Sequence, residues 1–197
     1  MNIPNMLTVS RIVMIPIFLT FAILGNQSKN TDWYYGVALI FTISGITDFL
    51  DGYIARAKNQ ITSFGKLMDP IADKLTMAVA LLITNCIGVL SVFITIIIIF
   101  FEAITITGSY LITRNNKIIF SSRTLGKIKT SVQFIGLIVL FLGYANNKLW
   151  FLPKMLWLTP INLGRWIICT SIVITILAMI DYIHKNIYLV RGYLKKF

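Results

Sequence analysis

Apolar and polar stretches alternate along this chain with a long period. An apolar run follows Arg11 and lasts to about Gly25, and a polar turn, Gly25 to Asp32, leads into a second run from about Trp33 to Arg56. Ala57 to Ser63 is a polar connection. A third run goes from near Phe64 to about Thr84, and a fourth, rich in Ile, from Ser91 to about Thr113. The fifth covers about Thr130 to Tyr144. That is short for a bilayer, which takes about 20 residues per helix, so the fifth helix is expected to start earlier, around Thr124. The sixth runs from about Leu163 to Ile183 and is followed by a basic tail. Asn85 to Leu90 reads as a tight turn, and Ala145 to Asn162, with Trp150, Pro153, Trp157 and Pro160, as an interfacial loop carrying a Trp belt.

The pattern predicts an all-α integral membrane protein with six transmembrane helices, organised as a single domain over residues 1–197. Composition agrees: 57% of residues are hydrophobic, only 13% are charged and the mean hydropathy is +0.81, against about 25% charged residues in a soluble domain. The stretch Asn2 to Ser10 is polar, with Pro4, Asn5 and Thr8 as turn or cap residues. A signal peptide is the alternative for this end, but no small-x-small cleavage site follows the apolar run. Cys86 and Cys169 have no partner motif and read as small apolar residues in helices.

The net charge of +11 would suggest nucleic acid in a soluble protein. Here it reads first as topology and contact with membrane lipids, with no nucleic-acid partner. Six spans put both termini on one side. Of the 18 Lys and Arg residues, only Lys29, Lys148, Lys154 and Arg165 then fall on the other side. The positive-inside rule places both termini at the cytoplasmic face of the cell membrane.

Against this apolar background the acidic residues stand out. The chain has seven, and four of them, Asp48, Asp51, Asp69 and Asp73, lie within 26 positions. Asp48 and Asp51 are three apart and Asp69 and Asp73 four apart, so on helices each pair shares a face. Two such segments can aim four carboxylates at one point. Mutual repulsion and desolvation make divalent cations the natural counter-charge, and hard oxygen ligands suit Mg2+, Mn2+ or Ca2+. Intramembrane carboxylates are costly and usually functional. The bland alternative is a set of solvated turn carboxylates paired with nearby Lys and Arg.

The full pattern, Asp-x2-Asp-Gly-x2-Ala-Arg-x8-Gly-x3-Asp-x3-Asp, is met at Asp48, Asp51, Gly52, Ala55, Arg56, Gly65, Asp69 and Asp73. It resembles the signature of the CDP-alcohol phosphotransferase family. The segment Pro4 to Arg11 is similar to that family's amino-terminal element, a short interfacial helix leading into the first span near the nucleotide. The resemblance implies a transfer of a phosphatidyl group from CDP-diacylglycerol to an alcohol, with release of CMP, at a site holding two Mg2+ or Mn2+ ions. By the same resemblance Asp48, Asp51 and Asp69 ligate metal, and Asp73 is the general base and also touches a metal. Gly52 and Ala55 leave room for the nucleotide, Arg56 and Thr62 contact it, Gly65 allows close approach of the third span, and Asn5, Thr8 and Arg11 complete the CDP-lipid site. A homodimer is also implied. Simple helix packing for the glycines, and an interface anchor for Arg56, are the structural alternatives.

For the acceptor, Leu125-Gly126-Lys127-Ile128-Lys129-Thr130 with Gln133 resembles the branch that uses glycerol-3-phosphate. Its phosphate needs cations, and Arg114, Arg123, Lys127 and Lys129 are the candidates, with anchoring to anionic lipid as the alternative. One departure matters. That branch carries an Arg just before the Glu of the fourth span and another after a Thr-Gly-x step, whereas this chain has Phe101 before Glu102 and Tyr110 after Thr107-Gly108-Ser109. The same signature also resembles the cardiolipin-forming branch, whose acceptor is phosphatidylglycerol. A membrane prenyltransferase would release pyrophosphate instead of CMP, and its acidic motifs lie farther apart. A cation carrier would need acidic residues lining a path across the membrane. Glu102 is expected to hold a neighbouring helix or a basic side chain.

Overall fold

The computed structural model describes residues 3–57, 63–114, 123–145 and 159–194; within them the side chains of 3–5, 7, 51–57, 63–67, 70, 105–114, 123–124, 182–183 and 185–194 lie outside the description. The described residues form six α-helices: α1 (Ile3–Ser28), α2 (Trp33–Ala57), α3 (Ser63–Cys86), α4 (Val92–Arg114), α5 (Arg123–Ala145) and α6 (Pro160–Leu194). No strand occurs among them. Four helices are long and apolar enough to cross a membrane, over Thr8–Ser28, Trp33–Leu50, Leu125–Ala145 and Pro160–Asp181. The apolar part of α4 is shorter, Val92–Ile104. The first half of α3 is diluted by Lys66, Asp69, Asp73 and Lys74.

Two boundaries differ from the sequence expectation. The amino-terminal element is not a separate interfacial helix, because α1 runs unbroken through Thr8 and Arg11 into the apolar run. Pro4 sits in its first turn, where a missing N–H costs nothing, and no Gly or Pro interrupts the next eleven residues. The start of α3 at Ser63 agrees with the run expected from near Phe64, and the helix passes through Pro70. Finally, α6 spans 35 residues, so the basic tail as far as Leu194 is helix. At about 1.5 Å per residue it exceeds the roughly 30 Å hydrocarbon layer and projects beyond it. The early start of α5, at Arg123, agrees with the expectation. The Trp-belt loop at 146–158 lies outside the described residues.

Helix α5 is the centre of the bundle, packing on α2, α3 and most extensively on α6, while α1 packs on α2 and α3. The apolar core is aromatic. Phe41 is fully buried. It meets Phe18 edge-on at 6.2 Å, stacks on Phe134 at 4.6 Å and meets Phe141 edge-on at 5.9 Å, geometries that aromatic rings favour. Tyr34 lies edge-on to Tyr144 and donates its hydroxyl hydrogen to the Ala22 carbonyl at 3.2 Å. The α5–α6 approach needs small residues: a Cβ on Gly164 would come within 2.7 Å of Leu140, and one on Gly136 within 2.8 Å of Ile168, the small-residue packing typical of membrane helices. Some buried hydroxyls are satisfied within their own helices, as Thr76 to the Ala72 carbonyl at 2.8 Å and Thr175 to the Ser171 carbonyl at 2.7 Å.

The far end of the bundle is closed by hydrogen bonds. Gly88 takes a left-handed conformation (φ 70°) in the α3–α4 turn, as glycine allows. Asn85 donates to the Leu81 carbonyl and to Thr95 Oγ1, at 2.9 and 2.7 Å, tying α3 to α4. Arg165 Nε donates to the Val89 carbonyl at 2.6 Å, bringing α6 onto the same turn. The acidic motif lies at the other end of α3.

Candidate active site

The site is built where α1, α2 and α3 meet. Thr8 and Arg11, three apart on one face of α1, are both buried (0% and 1% exposed). The Arg11 guanidinium donates from Nη1 to Asp48 Oδ1 on α2 and lies 3.8 Å from Asp69 Oδ1 on α3 through Nη2. The Thr8 hydroxyl donates to that same Asp69 oxygen. One arginine therefore joins the two halves of the acidic motif, which are 21 residues apart in sequence. A buried guanidinium needs such partners, since an unpaired buried charge is very costly.

Asp48 and Asp69 keep about half and two-fifths of their side-chain surface open, 48% and 38%, so neither is sealed by the arginine. Asp73, one turn after Asp69, lines with Asp48 and Arg11 a cavity of about 320 Å3 between α2, α3 and α5. Ser44, Thr76, Thr130 and Ser131 bring hydroxyls to its wall, and Met77 and Phe134 apolar surface. Asp51, Gly52, Ala55 and Arg56 continue α2 beyond Asp48, Gly65 lies in the first turn of α3 and Asn5 in the first turn of α1; their side chains lie outside the described set. Thr62 lies outside the described residues altogether.

A second charged cluster joins α3, α4 and α5. Glu102 on α4 accepts from Lys74 Nζ and Lys129 Nζ, both at 2.7 Å, and Lys74 Nζ also lies 3.7 Å from Asp73. Glu102 thus holds two basic side chains on two neighbouring helices. The lysines grouped for the acceptor separate here: Lys129 is buried and turned to Glu102, while Lys127 is exposed, because residues two apart on a helix do not face each other. Arg114 ends α4 and Arg123 begins α5, with side chains outside the described set. Phe101 is half-buried, its ring 5.9 Å from that of Phe100.

Sequence reasoning assigned Arg11 to the nucleotide and did not anticipate its bridge between the aspartates. A lone arginine inside an apolar helix, one turn from a threonine, was the available signal. Lys74 was passed over as well, although it directly follows Asp73.

The profile of the CDP-alcohol phosphatidyltransferase family matches residues 1–177. The chain belongs to this family. Among its curated relatives, a protein of Bacillus subtilis (strain 168) is 32% identical over 194 residues, covering 94% of this chain and 95% of the relative. One of Rickettsia bellii (strain RML369-C) is 37% identical over 153 residues, 77% of this chain and 81% of the relative. Both are named CDP-diacylglycerol–glycerol-3-phosphate 3-phosphatidyltransferase.

CDP-alcohol phosphatidyltransferases are generally divalent-metal dependent, and the chemistry of the donors here fits that. Asp48, Asp69 and Asp73 offer only hard carboxylate oxygens, the ligands that Mg2+ and Mn2+ take. Two of them already share one cationic partner, so this spot accommodates positive charge between α2 and α3. Among the described residues no three acidic side chains close on a single point; Asp51, whose side chain lies outside them, is the fourth member of the set.

Proposed function

We propose that the chain is a single-domain membrane enzyme that transfers the phosphatidyl group of CDP-diacylglycerol to sn-glycerol-3-phosphate, giving phosphatidylglycerophosphate and CMP in phospholipid biosynthesis. The observation that carries this reading is the closure of the two motif halves, Asp48 and Asp69, on Arg11 beside the cavity that Asp73 also lines. Relatives with that name, matched over most of their length, support it.

In the reaction the acceptor hydroxyl oxygen bonds to the phosphorus that carries the diacylglycerol. The bond from that phosphorus to the bridging oxygen of CMP breaks, and CMP leaves. Asp73 takes the hydroxyl proton. Asp48, Asp51 and Asp69, with Asp73 beside them, would hold two Mg2+ or Mn2+ ions, which when bound stabilise the negative charge of the diphosphate and of the entering oxygen. Thr8 and Arg11 orient Asp69 and Asp48 from the α1 side. Asn5, Gly52, Ala55, Arg56, Thr62 and Gly65 surround the CDP-lipid. Lys129, Lys127, Arg114 and Arg123 bring positive charge for the acceptor phosphate.

All six helices cross the membrane in this reading, with both termini and the acidic site at the cytoplasmic face, an orientation that the distribution of Lys and Arg supports. The active unit is a homodimer. Four of the helices have the length and apolarity to cross. The charges of α3 gather in its first half, so the rest of that helix is free to enter the bilayer.

The cardiolipin-forming alternative rests on Phe101 and Tyr110, which replace two expected cations; the names of the relatives favour glycerol-3-phosphate. Purified protein with CDP-diacylglycerol and Mg2+ separates the two. CMP release that depends on glycerol-3-phosphate is expected. Release only with phosphatidylglycerol would transfer the assignment to the alternative, and release of pyrophosphate would sink both.

A further inference from the structure

Lys74 is the point at which the basic cluster reaches the acidic motif. Its Nζ lies 2.7 Å from Glu102 Oε2 on α4 and 3.7 Å from Asp73 Oδ2 on its own helix. The other oxygen of Glu102, Oε1, is taken by Lys129 Nζ at 2.7 Å, and the Lys129 side chain is only 7% exposed. Charges therefore alternate along a line from α3 through α4 to α5: Asp73, Lys74, Glu102, Lys129. The helical period does not bring Lys74 to Asp73, because consecutive residues on a helix do not face each other. Nor does the fold require Lys74 to be paired. Its side chain is 30% exposed, and a lysine with that access to water can stay solvated.

The two contacts of Lys74 are unequal. At 2.7 Å the ammonium donates a short charge-assisted hydrogen bond to Glu102. At 3.7 Å it is beyond hydrogen-bonding distance of Asp73 and acts on it through charge alone. Glu102 thus fixes the ammonium, and the ammonium attracts one Asp73 oxygen without occupying it. Asp73 needs such a restraint. Its side chain is 37% exposed, and it shares the cavity wall with Asp48 and Arg11. A carboxylate left to itself there can turn to solvent or towards the guanidinium. Catalytic geometry tolerates little of that motion, since a displacement of about 1 Å can cost about a hundredfold in rate.

We propose that Lys74, held by Glu102, is a positioning residue that keeps the Asp73 carboxylate in place for the acceptor hydroxyl. It touches neither substrate and acts only through Asp73. A plain staple between α3 and α4 would use the Lys74–Glu102 contact alone; the reach from Lys74 back to Asp73 carries the proposal. The inference rests on the reading above in which Asp73 takes the hydroxyl proton.

The test measures CMP release by purified full-length protein with CDP-diacylglycerol, glycerol-3-phosphate and saturating Mg2+. Lys74→Met removes the ammonium and keeps the stem. Its kcat is expected to fall by about tenfold to a hundredfold, the usual effect of losing the outer partner of a functional carboxylate. The KM of each substrate should stay within about threefold, since no substrate contact is lost. Lys74→Arg returns the charge and should recover most of kcat. Asp73→Asn combined with Lys74→Met should be no slower than Asp73→Asn alone, as expected when one residue works through the other. If Lys74→Met does not fold, Lys74→Gln removes the charge but keeps a polar head and is read in the same way. An unchanged kcat in Lys74→Met, with Asp73→Asn inactive, overturns the proposal and leaves the reaction standing. So does a loss that appears in the acceptor KM with kcat kept, which would make Lys74 a substrate contact. A combined variant slower than Asp73→Asn by the full Lys74→Met factor overturns it as well. Near-normal turnover in Asp73→Asn would instead remove the base assignment, and the proposal with it. Should the wild type release CMP only with phosphatidylglycerol, the glycerol-3-phosphate reading fails separately. The same variants are then compared on phosphatidylglycerol, whose hydroxyl proton Asp73 would take, and the same outcomes decide.

Discussion

Two charged clusters hang on the first half of α3, and they are near mirror images. One has two carboxylates on one guanidinium, Asp48 and Asp69 on Arg11, and ties α3 to α1 and α2. The other has two ammonium groups on one carboxylate, Lys74 and Lys129 on Glu102, and ties α3 to α4 and α5. The first is short of positive charge by one and the second has one in excess. Asp73 and Lys74, adjacent in sequence and 3.7 Å apart at their charged atoms, are where the two meet. The difference matches the two substrates of the proposed reaction. A cation-seeking centre suits a metal-bound diphosphate, and an anion-seeking centre suits an acceptor phosphate. One helix sets the distance between them, and a near-attack arrangement depends on that kind of rigidity.

The largest break in this comparison is at the junction. Asp73→Asn keeps the shape and removes the proposed base. CMP release is expected to fall by about 10^3-fold or more, while CDP-diacylglycerol still raises the melting temperature of the protein. Near-normal turnover in this variant would remove Asp73 as the base and move the proton elsewhere.

Breaking the basic cluster acts on stability first. Glu102→Gln strands Lys129, only 7% exposed at its side chain, and leaves Lys74 with Asp73 alone. Removing one partner of a buried ion pair costs about 3–5 kcal/mol, so a strongly lowered melting temperature is expected. Replacing Glu102 and Lys129 together by leucine leaves only Lys74, which is 30% exposed and can reach water. Most of the stability should return in that double variant, and affinity for glycerol-3-phosphate should not. Recovery of both would mean that the cluster serves the fold alone.

The acidic cluster should respond in the opposite way. Arg11→Gln leaves Asp48 and Asp69 without the guanidinium they share. The variant is expected to melt lower in chelator than the wild type and to gain more from added Mg2+, because the ion then supplies the missing charge. Equal gains in both proteins would show that Arg11 and the divalent ion do not compete for the same carboxylates.

Much of this was legible in the sequence, and the rest was hidden for identifiable reasons. The apolar runs located every helix among the described residues, because burial in lipid leaves a long period that short polar turns punctuate. Asp48 and Asp69 could be paired as a motif, since an apolar chain has few other reasons to carry carboxylates. Arg11 and Glu102 were harder. Their partners lie 37 or more and 27 or more residues away, so no local spacing connects them. The unbroken α1 was missed because polar residues such as Asn5, Thr8 and Ser10 look like a surface segment, whereas the packed helix turns Thr8 inward. The separation of Lys127 from Lys129 needed only the helical period, but it depended on knowing that α5 starts as early as Arg123.

The smallest expected effect bears on one of the two places where this chain departs from its branch pattern. Phe101 sits next to Glu102 on α4, half-buried and in contact with the Phe100 ring. Phe101→Arg would place a third cation beside Lys74 and Lys129. Like-charge repulsion from Lys74 and Lys129 opposes this, while a bound phosphate with two charges would relieve it. The two effects have different signatures. Without acceptor the variant should melt slightly lower than the wild type. With saturating glycerol-3-phosphate that deficit should close, and the acceptor KM should fall by about threefold, well within the range of one additional charge-assisted contact. A KM that rises instead would mean that the aromatic residue belongs to the acceptor pocket of this chain, and that the basic side chains already present supply all the charge the acceptor phosphate uses.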